Sequence, residues 1–97
     1  MNYILKDKVP VKEPDILKWA KWIGERDNTI VIQTNLPGDI LVSTVFLGID
    51  HAFGDTEPIL FETMVFGGEH SDYQERYHTW EEAEAGHQEA IDMIFKA

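Results

Sequence analysis

Five side chains stand where chemistry could be done: Asp50, His51, Glu62, Arg76 and His87. Glu62 interrupts the apolar run Ile59 to Phe66 and shares one strand alternation with Leu60, Met64 and Phe66. A carboxylate buried without a partner is costly, so Glu62 is expected to be protonated, paired or bound to something. One answer is a structural pair with Arg76; the other is a catalytic or ligand-orienting role. If the preceding loop closes symmetrically, Glu62 pairs with Leu47. His87 lies seven residues from Trp80 and from Ile94 and four from Ala83, on the apolar stripe of a helix. It reads either as a core histidine bonded to a backbone carbonyl or as an acid/base group. Gly86 beside it costs a helix about 1 kcal/mol relative to alanine, which is expected where something approaches the helix closely. Asp50-His51 closes a strand and opens a long loop, where the pair can act as acid and base, ligate a metal or simply form a turn.

Taken as one constellation, these residues describe a small-molecule site. His51 and His87 would be its acid and base, and Asp50 and Glu62 its carboxylates, with Glu62 orienting a histidine. Arg76 would hold an anionic group such as a phosphate, helped by backbone amides near Gly67-Gly68. Such a site would hydrolyse or sequester a nucleotide-type ligand. No cofactor is expected, although the i, i+3 spacing of Glu84 and His87 admits a divalent metal. His70 and His78 stand in polar surroundings and read as solvated surface, and Trp19 and Trp22 as core. The chain has no phosphate-binding glycine loop before a Lys-Ser/Thr helix start and no Gly-x-Ser-x-Gly elbow.

The elements that must position these groups are legible. Two short extended pieces, Tyr3 to Leu5 and Val9 to Val11, flank Lys6-Asp7-Lys8 and suggest a small N-terminal hairpin within residues 1–12. Pro14 as a first helical residue, with apolar residues at Ile16, Trp19, Ala20 and Ile23 and a stop at Gly24, predicts a helix over Pro14 to Ile23. Thr29 to Ile32, Ile40 to Ile49 and Ile59 to Phe66 read as strands, with turn chemistry at Asn35 to Asp39 and a short fourth strand within Tyr73 to Tyr77. Thr79-Trp80-Glu81-Glu82 is a capping box that fixes the start of the last helix. The order implies an α+β domain: an antiparallel three- to four-stranded sheet with an N-terminal and a C-terminal helix packed on it. Both faces of the strands look apolar. Two helices cover one face, so the second is expected to meet another copy of the chain or a partner.

Composition narrows the function classes. At 97 residues the chain makes one domain, spanning 1–97, and 43% hydrophobic residues supply one core. With no cysteine there is no disulfide framework and no thiolate chemistry. No apolar run approaches the roughly 20 residues of a membrane span, and Tyr3-Ile4-Leu5 is too short for a signal peptide, so a cytoplasmic protein without membrane contact is expected. Eighteen acids against eight bases give a net charge of −10. Residues 1 to 49 hold six of each sign, so the excess belongs to the second half, where Arg76 and Lys96 face twelve acids. Phosphate contacts need Lys and Arg, which argues against DNA or RNA as a partner. An acidic half suits a basic protein partner instead.

Several motifs resemble one family: Val42 to His51, Phe53-Gly54, Pro58, Leu60 to Gly68, Arg76-Tyr77, Thr79-Trp80, Glu82-Ala83 and Gly86-His87. They look like small proteins of tailed bacteriophages and prophages, over roughly residues 16 to 97. The resemblance implies a phage origin and the cytoplasm of an infected bacterial host, and it carries no particular activity. By analogy with other small phage proteins, a counter-defence or host-takeover role follows, acting on a nucleotide immune signal. The alternative is an acidic inhibitor or nucleic-acid mimic that binds a host defence protein without catalysis, through Glu81, Glu84, Glu89 and Asp92. A homodimer is expected in either case.

Overall fold

The fold was analysed in a computed structural model that describes residues 1–52 and 56–96, leaving Phe53 and Gly54 of the family-like motif outside the described residues. The β-branched stretch after Thr29 builds its frame. Strands β3 (Ile30–Leu36), β4 (Ile40–Phe46), β5 (Phe61–Phe66) and β6 (Gln74–Tyr77) form an antiparallel sheet in the order β3-β4-β5-β6. A separate hairpin, β1 (Tyr3–Lys6) with β2 (Val9–Lys12), turns through Asp7 and Lys8, both in the left-handed region at φ 49° and 70°. Two positive φ angles in a two-residue loop match the right-handed twist of the flanking strands.

Helix α1 spans Ile16–Gly24, and its N-cap is Asp15, whose carboxylate accepts from the amides of Leu17 and Lys18 at 3.0 and 3.2 Å. The cap moves the start two residues beyond the sequence expectation, so Pro14 precedes the helix instead of opening it. Helix α2 spans Trp80–Lys96. The Thr79 hydroxyl accepts from the Glu82 amide at 3.1 Å, as a capping box requires, while the Glu82 carboxylate accepts from the His78 amide at 2.9 Å.

Side chains of Val42, Thr44 and Phe46 on β4 and of Phe61, Thr63 and Val65 on β5 point to one face of the sheet and are fully buried there. Helix α2 crosses that face, burying Ala83, Gly86, His87 and Ala90. Helix α1 reaches the same core from its end. Trp22 packs edge-on against Phe46 with centroids 5.7 Å apart, and the Trp19 indole donates to the Gly48 carbonyl at 3.1 Å. Both tryptophans are therefore structural. Gly48, at φ +77°, ends the expected Ile40 to Ile49 strand early, and a side chain there would collide with Ile23. Beyond it, Ile49 bridges to Asn2 and ties the hairpin to the sheet.

The second face carries neither helix. It is less apolar than the sequence suggests, because Gln33, Gln74 and Arg76 lie along it: Gln33 donates to the Ser43 hydroxyl at 3.0 Å, and Gln74 and Arg76 donate to Glu62. Ser43 and Glu62 are each 7% exposed as a result. The face is partly sealed by its own polar side chains, which weakens the argument that a partner must cover it.

Candidate functional site

Strand register decides which of the singled-out residues meet. Glu62 stands opposite Val45 on β4 and Arg76 on β6, two residues from the Leu47 pairing expected of a symmetric loop. One oxygen, Oε2, accepts from Arg76 Nε at 2.9 Å and from Gln74 Nε2 at 2.5 Å. The structural reading of Glu62 is the one the geometry supplies with partners. Among the described residues this is the one ion pair, with Arg76 itself 43% exposed.

His87 lies on the other face of the same strands, because Thr44 and Thr63 alternate with Val45 and Glu62. Its Nδ1 is hydrogen-bonded to the Thr44 hydroxyl at 2.7 Å and its Nε2 to the Thr34 hydroxyl at 2.9 Å. Thr44 is in turn bonded to the Thr63 hydroxyl at 2.5 Å. The sequence expectation of a core histidine holds, but threonine hydroxyls take the place of a backbone carbonyl. Hydroxyls both donate and accept, so they satisfy both nitrogens of a neutral ring in either tautomer. Burial lowers the pKa of His87 below its ordinary value of 6.5. A ring neutral at pH 7, with both nitrogens engaged, has no free position for a substrate.

Gly86, one residue earlier, is explained by Tyr77. A methyl group built on Gly86 would overlap the phenol ring and hydroxyl of Tyr77, which packs against the helix at that point. The Tyr77 hydroxyl is buried with no partner among the described residues in good hydrogen-bond geometry, and burial pushes its pKa up to about 12, a rise that the neighbouring Thr63 hydroxyl is too poorly placed to cancel. This contact is the close approach that a mid-helix glycine foretold.

Asp50 is a loop clamp. Its Oδ1 accepts from the amides of Ala52 at 2.7 Å and Ile59 at 3.0 Å, and these bonds hold its pKa below the usual carboxylate range. The His51 amide donates to the Ile59 carbonyl at 3.0 Å, and its side chain is exposed. Gly67 and Gly68, at φ +88° and +71°, follow β5 and pack against Asp39 and Ile40. That is the far end of β4 from Asp50-His51. Six residue steps of about 3.4 Å separate the two ends of this strand, on the order of 20 Å.

The structure thus joins Glu62 to Arg76, sets His87 behind the sheet from them, and puts Asp50-His51 and Gly67-Gly68 at opposite ends. Acid/base groups must reach a shared substrate within hydrogen-bond distance, and His87 does not share a face with Glu62 and Arg76. A depression of about 280 Å³ between the hairpin and the loop before β5 is lined by Tyr3, Pro10, Glu57, Pro58, Leu60, His78 and Thr79, none of them in the expected set. Another, of about 220 Å³, takes in Gly68 with Ile40, Glu69, His70 and Ile94.

Sequence reasoning misplaced two histidines. His78 is half-buried and donates from Nδ1 to the Pro58 carbonyl at 2.9 Å, and the Nε2 of half-buried His70 has no hydrogen-bond partner among the described residues. Their polar neighbours in sequence gave no sign of this, since the contacts come from residues that fold back from elsewhere. Glu84 is exposed while His87 is buried, so the pair does not converge. Among the described residues no three His, Cys, Asp or Glu side chains gather where a metal ion could be held, and no helix is long and apolar enough to cross a membrane. Comparison of the chain with protein-family models, with curated proteins and with solved structures finds no match.

Proposed function

We propose that this chain is an acidic binding protein that acts without catalysis, in the phage setting its motifs suggest, by presenting the outer face of α2 to a basic surface of a bacterial host protein. The observation that carries this reading is how the ionisable groups are used. The side chains suited to chemistry are spent on the fold: His87 on Thr34 and Thr44, Glu62 on Arg76 and Gln74, and Asp50 on two backbone amides. Glu81, Glu84, Glu89 and Asp92 are all exposed, and among the described residues none forms an ion pair. Helix α2 contains one base, Lys96, against five acids, so the helix presents a field that attracts cations.

Two measurements test this. Incubation with cyclic dinucleotides, followed by heat denaturation and analysis of the supernatant, is expected to return intact nucleotide with no prior retention. Cleaved nucleotide would establish an enzyme, and stoichiometric retention a sponge. The second measurement titrates a polyarginine peptide as a basic probe. The variant Glu81→Gln, Glu84→Gln, Glu89→Gln, Asp92→Asn is expected to lose most of the binding and most of its salt dependence. A matched control that neutralises Asp39, Glu57, Glu69 and Asp72, all exposed, should lose little. Equal losses in the two variants would show that total charge, and not the α2 face, attracts the probe.

A further inference from the structure

The depression of about 280 Å³ beside the hairpin is assembled from three separate stretches of chain. Tyr3 and Pro10 reach it from the hairpin, Pro58 and Leu60 from the segment before β5, and His78 from the turn into α2. Each wall is fastened by contacts of its own. The Tyr3 amide donates to the Gly48 carbonyl at 2.8 Å, and the Lys8 amine of the same hairpin lies 5.5 Å from the centre of the Trp80 ring at the start of α2. The Leu60 amide donates to the Tyr77 carbonyl at 3.1 Å, and the Leu60 carbonyl accepts from the Leu47 amide at 2.7 Å. His78 is held twice, its amide by the Glu82 carboxylate and its ring Nδ1 by the Pro58 carbonyl, both at 2.9 Å. Walls that are fixed before a ligand arrives need not be ordered by it, which lowers the cost of binding.

The bond to Pro58 also decides what the His78 ring can offer. A carbonyl only accepts, so Nδ1 carries the proton, and in the neutral ring Nε2 is left with a lone pair. Nε2 has no hydrogen-bond partner among the described residues and stays open to solvent. The surface around it is apolar: Tyr3 and Leu60 are buried, and Pro10 and Pro58 add two rigid rings. Glu57, exposed at the same depression, brings a negative charge. We propose that this depression binds one neutral aromatic ring system carrying an N–H or O–H donor, an indole or a phenol, with the donor bonded to His78 Nε2 and the ring laid against Tyr3, Pro58 and Leu60. Apolar walls with a single well-placed polar group are the usual make-up of small-ligand sites, and since drug-sized ligands occupy roughly 300 to 1,000 Å³, this volume suits one ring system. The Glu57 carboxylate opposes phosphate, in keeping with the absence of nucleotide retention expected above. This inference is independent of the role proposed for α2.

Amide-detected NMR titration of the intact chain with indole tests it, at about pH 8, where an ordinary imidazole is neutral. Saturable binding is expected with a dissociation constant on the order of 1 mM, and with the largest shifts at Tyr3, Leu60, His78 and Thr79. 1-Methylindole keeps the ring and lacks the donor, so it should bind about three- to tenfold more weakly. In His78→Phe the two ligands should bind alike. Should that variant fail to fold, the Nε2 nitrogen resonance of His78 in the unmodified chain supplies the readout, moving with indole and not with 1-methylindole. N-acetyltryptophan amide separates two sources of the ring: affinity equal to that of indole means the opening admits a side chain of a partner protein, and weaker binding restricts the site to a free small molecule. The α2 variant described above should bind indole unchanged, so the two readings can fail separately. No saturable binding up to about 5 mM overturns the proposal. So do shifts that fall away from the depression, or equal affinity of the unmodified chain for indole and 1-methylindole.

Discussion

Gly86→Ala separates local propensity from tertiary contact, because the two give opposite signs. An alanine in mid-helix is favoured over glycine by about 1 kcal/mol, so α2 alone predicts a more stable protein. In the fold, the new methyl would overlap the Tyr77 ring, a rigid group held against the cluster of Phe46, Leu60, Phe61 and Ala83. Overpacking of this kind costs about 1 to 3 kcal/mol, and a rigid ring puts the cost in the upper part of that range. The net expectation is a loss of about 1 to 2 kcal/mol. Urea unfolding followed by helix circular dichroism measures it. With Tyr77→Leu as the background the overlap is relieved, and the same substitution should stabilise by up to about 1 kcal/mol, a coupling of about 2 to 3 kcal/mol across the cycle. The phenol gives an independent readout: a displaced Tyr77 should ionise nearer pH 10 than the value of about 12 that burial imposes. Stabilisation by Gly86→Ala with Tyr77 present, or a cycle without coupling, would refute the packing argument.

His87→Ala should cost about 2 to 4 kcal/mol, from two lost hydrogen bonds and the space of an imidazole, as read by thermal or urea unfolding. Because burial lowers the folded pKa of His87, the unfolded chain takes up a proton first as pH falls. Its contribution is therefore complete above about pH 6.5 and declines below it, by at most about 1.4 kcal/mol per pH unit, a slope that His87→Gln should remove. Tyr77 acts at the other end: its raised pKa means the unfolded chain ionises first above about pH 10, so stability should fall from there towards pH 12, and less so in Tyr77→Phe. Arg76→Ala leaves the Glu62 carboxylate with Gln74 alone and should cost about 1 to 2 kcal/mol, between a surface and a buried pair, whereas Glu62→Gln with Arg76→Ala should recover part of that loss in the same unfolding assay.

The α+β order and the capped start of α2 were legible because they depend on neighbours in sequence: β-branched runs, turn residues, and a threonine three positions before a glutamate. Glu62 as a carboxylate in need of a partner and Gly86 as a point of close approach were legible for the same reason, each being a residue whose local cost demands compensation. A meeting of Asp50, His51, Glu62, Arg76 and His87 was not decidable from sequence, because it turns on which side of the sheet each strand residue faces. One position of register or parity reverses that side, so Glu62 joins Arg76 and Gln74 on one face while Thr44 and Thr63 hold His87 on the other. Sequence by itself determined the elements, the acidity and the residues under strain. The identity of each partner, and with it whether a polar group is free for chemistry or spent on the fold, was decided by tertiary structure, since hydrogen bonds act only over about 3 Å and that distance is set by packing.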